Sequence, residues 1–232
     1  MISDILATGV PTLILVLARK KKITEENLID FYMDVVVKDQ GKPSDVESLA
    51  SQYNFEPDLF HEHFESFEAL DRAIFKTLID ISIATLAESP DFVSFSKKDK
   101  LLSLYYTLFE NFTLNREFVV ITIKGYGLSL NAISLFSELK ESFMGFVDSL
   151  QMETLRLNDT VESIQKKSIK EGFWVQFLLT VKFWLSDDSD QCEKTDIFIE
   201  KSINTGVELL NTRSLNNIID LGKFLYAEKV KS

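Results

Sequence analysis

The chain has a single cysteine, Cys192, in 232 residues. That excludes a disulfide framework and any multi-cysteine zinc site. A lone thiol also points to a reducing, cytoplasmic compartment. Only two histidines are present, His61 and His63, which leaves little for histidine-based catalysis or metal binding. They lie two residues apart, so on a helix they point in different directions and share a metal poorly. Eight glycines and four prolines are too few for a turn-rich sandwich or barrel. Positive charge is scarce too: 25 Lys and Arg against 36 Asp and Glu give a net charge of −11. This balance argues against a broad nucleic-acid-binding surface. There is no P-loop, no dinucleotide-type glycine pattern and no Gly-x-Ser-x-Gly elbow. The segment Asp187-Asp188-Ser189-Asp190 lacks the glycine and terminal glutamate of a calcium loop. We therefore expect no enzyme, no cofactor and no metal.

What remains has a globular composition, 45% hydrophobic and 26% charged. The length suits one or two domains. Residues 5–18, ILATGVPTLILVLA, form an apolar run too short for a comfortable membrane span, and Arg19, Lys20, Lys21 and Lys22 follow it. A secretory signal carries its charge before the apolar stretch, the reverse of this order. Three readings stay open: an arm that packs on the body or a partner, an extension outside the fold, or a short membrane anchor.

The rest reads as consecutive helices. Thr24 caps a helix over 25–38, whose apolar positions Leu28, Phe31, Tyr32 and Val35 follow helical spacing. Ser44 and Glu47 have the spacing of a capping box for the next helix. Asn54 makes a turn, and Pro57 opens a short helix to about Phe64. Ser66 caps a long helix over 67–88. Further helices are expected over 97–111, 116–123, 132–150, 160–184, 193–211 and 214–227. No segment alternates with period two, so the class is all-α, helix packed on helix.

Residues 46–70, VESLASQYNFEPDLFHEHFESFEAL, place two short helices around a tight turn after a preceding helix, a helix-turn-helix order. The segment resembles the N-terminal domain of the TetR family of transcriptional regulators. Ala50, Asn54, Phe55, His61, His63-Phe64, Ser66 and Glu68-Ala69-Leu70 carry the likeness. Residues 100–111 and 194–224 resemble the C-terminal domain of Bacteroidetes-type members. The resemblance implies a helix-turn-helix domain over 23–66, after an extension over 1–22, and a ligand-binding and dimerisation domain over 67–232. It implies a homodimer that regulates transcription by binding operator DNA in response to a small ligand.

The recognition segment departs from the family pattern. Pro57, Asp58 and Leu59 stand at its early positions, His61 replaces a tyrosine, and Phe67 replaces a lysine. From Asp39 to Leu70 there are eight carboxylates and one lysine, Lys42. DNA readers gain most of their affinity from Lys and Arg on phosphates. Weakened or altered DNA binding is therefore expected. The alternative is a TetR-fold protein that no longer reads DNA and instead holds a lipid-like or isoprenoid ligand or meets a basic protein partner. The candidate DNA contacts are Arg19, Lys20, Lys21, Lys22, Lys42, Ser44, His61 and His63.

Aromatic residues at helical spacing read either as plain core or as the walls of an apolar ligand pocket. The pocket candidates are Tyr105, Phe109, Phe112, Phe118, Phe143, Phe146, Phe173, Trp174 and Phe177. The 160–184 helix is apolar on more than one side and demands burial on more than one side. Candidate dimer contacts are Ile169, Phe173, Val181, Trp184, Phe198, Ile203 and Val207, across a two-fold interface.

Overall fold

In the computed structural model, residues 23–127, 130–152 and 159–210 are described. They form helices α1 (Glu25–Lys38), α2 (Val46–Tyr53), α3 (Pro57–His63), α4 (Phe67–Glu88), α5 (Lys97–Leu114), α6 (Arg116–Tyr126), α7 (Leu130–Leu135), α8 (Ser137–Ser149), α9 (Asp159–Leu185) and α10 (Glu193–Leu209). No strand occurs among the described residues, as the absence of period-two alternation implies. The basic run 19–22 and the helix expected over 214–227 lie outside them. No described helix is long and apolar enough to cross a membrane.

Local chemistry explains most helix ends. Thr24 accepts from Asn27 N–H while the Asn27 side chain accepts from Thr24 N–H, closing a capping box on α1. Ser66 caps α4 through Ala69 N–H. The cap of α2 is Asp45, not Ser44: its carboxylate accepts from Ser48 N–H at 2.7 Å, and the Ser44 hydroxyl merely donates to Asp45. A carboxylate at the cap also interacts favourably with the helix dipole, which favours Asp45 over its neighbour. Helix α6 runs through Gly125 and ends before Gly127, the residue at φ +72° that needs a glycine. The segment expected as one helix over 132–150 is two, broken at Phe136. That ring is buried against Phe75, centroids 5.2 Å apart, and the break turns it into the core.

Helix α4 packs on α5 and α8, α8 on α9, and α10 on both α5 and α9. Helix α1 lies against α6. The buried side chains form one cluster from Leu28 to Ile203, so the core under α1–α3 continues into the larger body. Phenylalanine supplies much of it. Phe75, Phe112, Phe118, Phe143 and Phe177 are fully buried, and burial of such rings from water is the main stabilising contribution.

Candidate nucleic-acid interface and apolar helix face

Helix α2 ends at Asn54, which adopts the left-handed conformation (φ 54°, ψ 53°). Asparagine tolerates this geometry, and Phe55 N–H bonds back to the Ala50 carbonyl at 3.0 Å. The chain reverses over three residues and re-enters a helix at Pro57, whose missing N–H costs nothing there. Phe60 is buried beneath α3 and Phe64 just after it. Phe60 meets Phe67 edge-on at 5.3 Å. Those two anchors turn the other side of α3 outward.

That outward face is acidic. Glu56, Asp58, Glu62 and Glu65 are exposed, and none has an ion-pair partner among the described residues. His61 and His63 are exposed on the same short helix, and His63 Nδ1 lies 3.6 Å from Glu25 on α1. Ser44 is exposed at the entrance to α2.

Lys42 is not presented outward as a free cation. Its ammonium sits 2.9 Å from Asp71 and 2.9 Å from Glu68, over the Tyr126 ring at 4.6 Å. Burial opposes the charged form, but the hydrogen bonds to Asp71 and Glu68 outweigh it and hold the pKa above the usual lysine range. The lysine expected to face phosphates is thus a paired counter-ion, still partly exposed at the surface. Sequence spacing does not reveal this, because its partners lie 26 and 29 residues away.

Six of the candidate pocket residues, Tyr105, Phe109, Phe112, Phe143, Trp174 and Phe177, converge in one place and pack on each other. Phe143 meets Phe177 at 5.4 Å, Trp174 meets Phe177 at 5.2 Å, and Phe109 meets Phe112 at 5.4 Å. Tyr105 is buried and donates to the Phe173 carbonyl at 3.1 Å; Phe146 is buried too, while Phe118 is buried elsewhere, against Tyr32 and Phe75. Two clefts open beside this core. One, of about 420 Å³, lies between α5 and the start of α10, with Phe109 and Trp184 in its lining. The other, of about 350 Å³, lies between α9 and α10, where Ile169, Phe173, Leu209 and Leu210 form apolar walls. Gln176 also lines it, and the buried Gln176 Oε1 has no hydrogen-bond partner among the described residues.

Of the candidate dimer residues, Ile169, Phe173, Val181, Trp184 and Ile203 are buried within the protomer. Phe198 and Val207 are half-buried. Among the described residues, large apolar side chains left in solvent on these helices are Val175, Leu179 and Phe183 on α9, and Ile197 and Leu209 on α10. The α9 set recurs every four residues, a single stripe. Phe183 stacks on Phe198 at 4.7 Å and joins the two helices into one exposed face. The helical period of α9 carries two apolar stripes, and the sequence alone does not say which one the protomer keeps.

The α9–α10 corner is built by Asp187. Cys192 stands at the N-cap of α10 with φ 60° and makes no side-chain cap bond. Asp187 caps in its place: Oδ2 accepts from Thr195 N–H (2.8 Å) and Oγ (2.6 Å), and Oδ1 from Ser189 N–H (2.9 Å) and Oγ (2.6 Å). Burial works against the carboxylate, but those four bonds lower its pKa to about 2. Arg116 completes the corner by donating to the Trp184 and Asp187 carbonyls while lying over the Trp184 ring at 4.5 Å.

Comparison with curated proteins finds no match. The family model of the tetracyclin repressor-like C-terminal domain matches residues 100–225, more than half of the chain. With that match, the all-helical fold and the helix-turn-helix at α2–α3, the chain belongs to the TetR family of transcriptional regulators.

Proposed function

We propose that this chain is a ligand-responsive homodimeric regulator whose contact with DNA is weakened or altered by its own recognition helix. The observation that carries this reading is the outward face of α3, where four carboxylates stand without cations among the described residues. Each carboxylate near a phosphate removes affinity that Lys or Arg would add. One acidic side chain can accept from a cytosine amino group, but four around seven residues cannot all do so. Any attachment to DNA then leans on Arg19, Lys20, Lys21 and Lys22, with Ser44, His61 and His63 as short-range contacts. Fluorescence anisotropy with DNA from upstream of the gene tests this. Binding should be weak and vanish between low and physiological salt; tight binding at physiological salt would overturn it.

The exposed α9–α10 stripe supports the homodimer, since two copies would bury it in a four-helix interface. A small apolar or lipid-like molecule suits the cleft between the same helices. There, Gln176 Oε1 would accept a hydrogen bond from the ligand. Native mass spectrometry of the purified protein checks for such a molecule. A second reading, favoured by the same acidic face, is a member that has left DNA and docks a basic protein in the cytoplasm. In neither reading does the chain act as an enzyme.

A further inference from the structure

Asp71 lies in the second turn of α4 and is 0% exposed. Three separate parts of the chain converge on it. Tyr32 Oη, from α1, donates to Oδ1 at 2.8 Å. Tyr126 Oη, from the last residue of α6, donates to Oδ2 at 2.9 Å. The Lys42 ammonium, from the loop that leads into α2, lies 2.9 Å from the same oxygen. Lys42 also bonds Glu68 and reaches the Tyr126 hydroxyl at 3.4 Å, over its ring.

A buried carboxylate is costly unless its oxygens are satisfied. Burial raises the Asp71 carboxyl, and the hydrogen bond and charge of Lys42, with both tyrosine hydroxyls, pull the other way. Burial and the Asp71 charge push the Tyr126 phenol up to about 12, so it stays a donor. The cluster is therefore satisfied only when all three segments are in place. The loop into α2 is otherwise short and polar: Gly41, Lys42, Pro43 and Ser44. Lys42 is its anchor to the body.

We infer that Asp71 is a positioning residue, a lock that ties the entrance of α2 to α4 and to the end of α6 and so sets the tilt of the α2–α3 pair. The inference rests on the reading of α2–α3 as the nucleic-acid-facing unit only for its consequence, since the held position itself involves no DNA. Lys42 is one of two cations between residues 23 and 66. The lock therefore also pairs half of that unit's positive charge with Asp71 and Glu68.

The test is a distance measurement on the full-length chain. Nitroxide labels are placed at Glu62→Cys on α3 and Glu110→Cys on α5 in a Cys192→Ser background. Labelled protein is diluted with unlabelled protein to suppress distances between copies. Electron–electron double resonance then reports the tilt. Tyr126→Phe keeps the ring beneath Lys42 and removes the hydroxyl bond to Asp71; Lys42→Met removes the anchor. Both should shift and broaden the distance distribution at unchanged helical content, and Lys42→Arg should restore it. Combining Tyr126→Phe with Lys42→Met should add little to Lys42→Met alone, because the two act through one carboxylate. A distribution identical to the parent in folded Tyr126→Phe and Lys42→Met would overturn the lock. Because the readout contains no DNA, failure of the DNA reading leaves this result standing, and the reverse holds too.

Discussion

Asp187 does, from five residues upstream, what the N-cap of α10 cannot do for itself. Its carboxylate takes two backbone N–H groups and two hydroxyls, so the charged form is strongly preferred in the folded state. The folded pKa of about 2 lies below the ordinary aspartate value of about 3.9. A depressed folded pKa means stability that is present above about pH 4 and lost as the pH falls towards 2. Asp187→Asn cannot satisfy all four donors. It should lower the unfolding free energy at pH 7 by about 2 kcal/mol, the usual range for hydrogen bonds to a charged group. Urea midpoints taken from pH 7 to pH 2 check both points: the variant starts lower, and its acid-dependent loss between pH 4 and 2 is smaller than the parent's.

Among the elements, α3 is the one whose chemistry opposes its position. Replacing Glu56, Asp58 and Glu62 by Gln, Asn and Gln removes three negative charges and leaves the buried anchors Phe60 and Phe64 untouched. Non-specific DNA affinity at low salt should rise by at least about tenfold, with a steeper salt dependence, as read by anisotropy. An unchanged affinity would mean that α3 does not approach the phosphates at all. Helix α8 offers a test of backbone rather than charge. Gly145 is exposed in its interior, and a Cβ there would meet nothing within 4 Å among the described residues. Gly145→Ala should stabilise the protein by about 1 kcal/mol, visible as a raised melting temperature.

The same elements show what could be read from the chain and what could not. Helices α1, α3 and α4 were legible because caps, Pro57 and a single apolar stripe all agree. The break at Phe136 was not, because it answers to Phe75 more than sixty residues away. The acidic face of α3 was legible by counting. The role of Lys42 was not, because only the fold brings Asp71, Glu68 and Tyr126 to it.

At the scale of the whole molecule, the proposed homodimer turns on which apolar surface a second copy would cover. The core is one cluster from α1 to α10, and it already consumes Val181, Trp184 and Ile203. Substituting those residues would unfold the protomer and say nothing of assembly. Leu179 is different: it is 53% exposed, in line with Val175 and Phe183 on the outer stripe of α9. In an isolated protomer Leu179→Glu places a carboxylate in water at little cost. In a two-fold dimer built on that stripe, the change buries two carboxylates, one from each copy, in an apolar interface. Size-exclusion chromatography with light scattering should then find the parent at twice the chain mass and Leu179→Glu at the chain mass of 26.6 kDa, with the same helical circular dichroism. If the variant stays dimeric, the interface lies elsewhere. The α9–α10 corner that Asp187 holds would then serve the protomer's own packing rather than assembly.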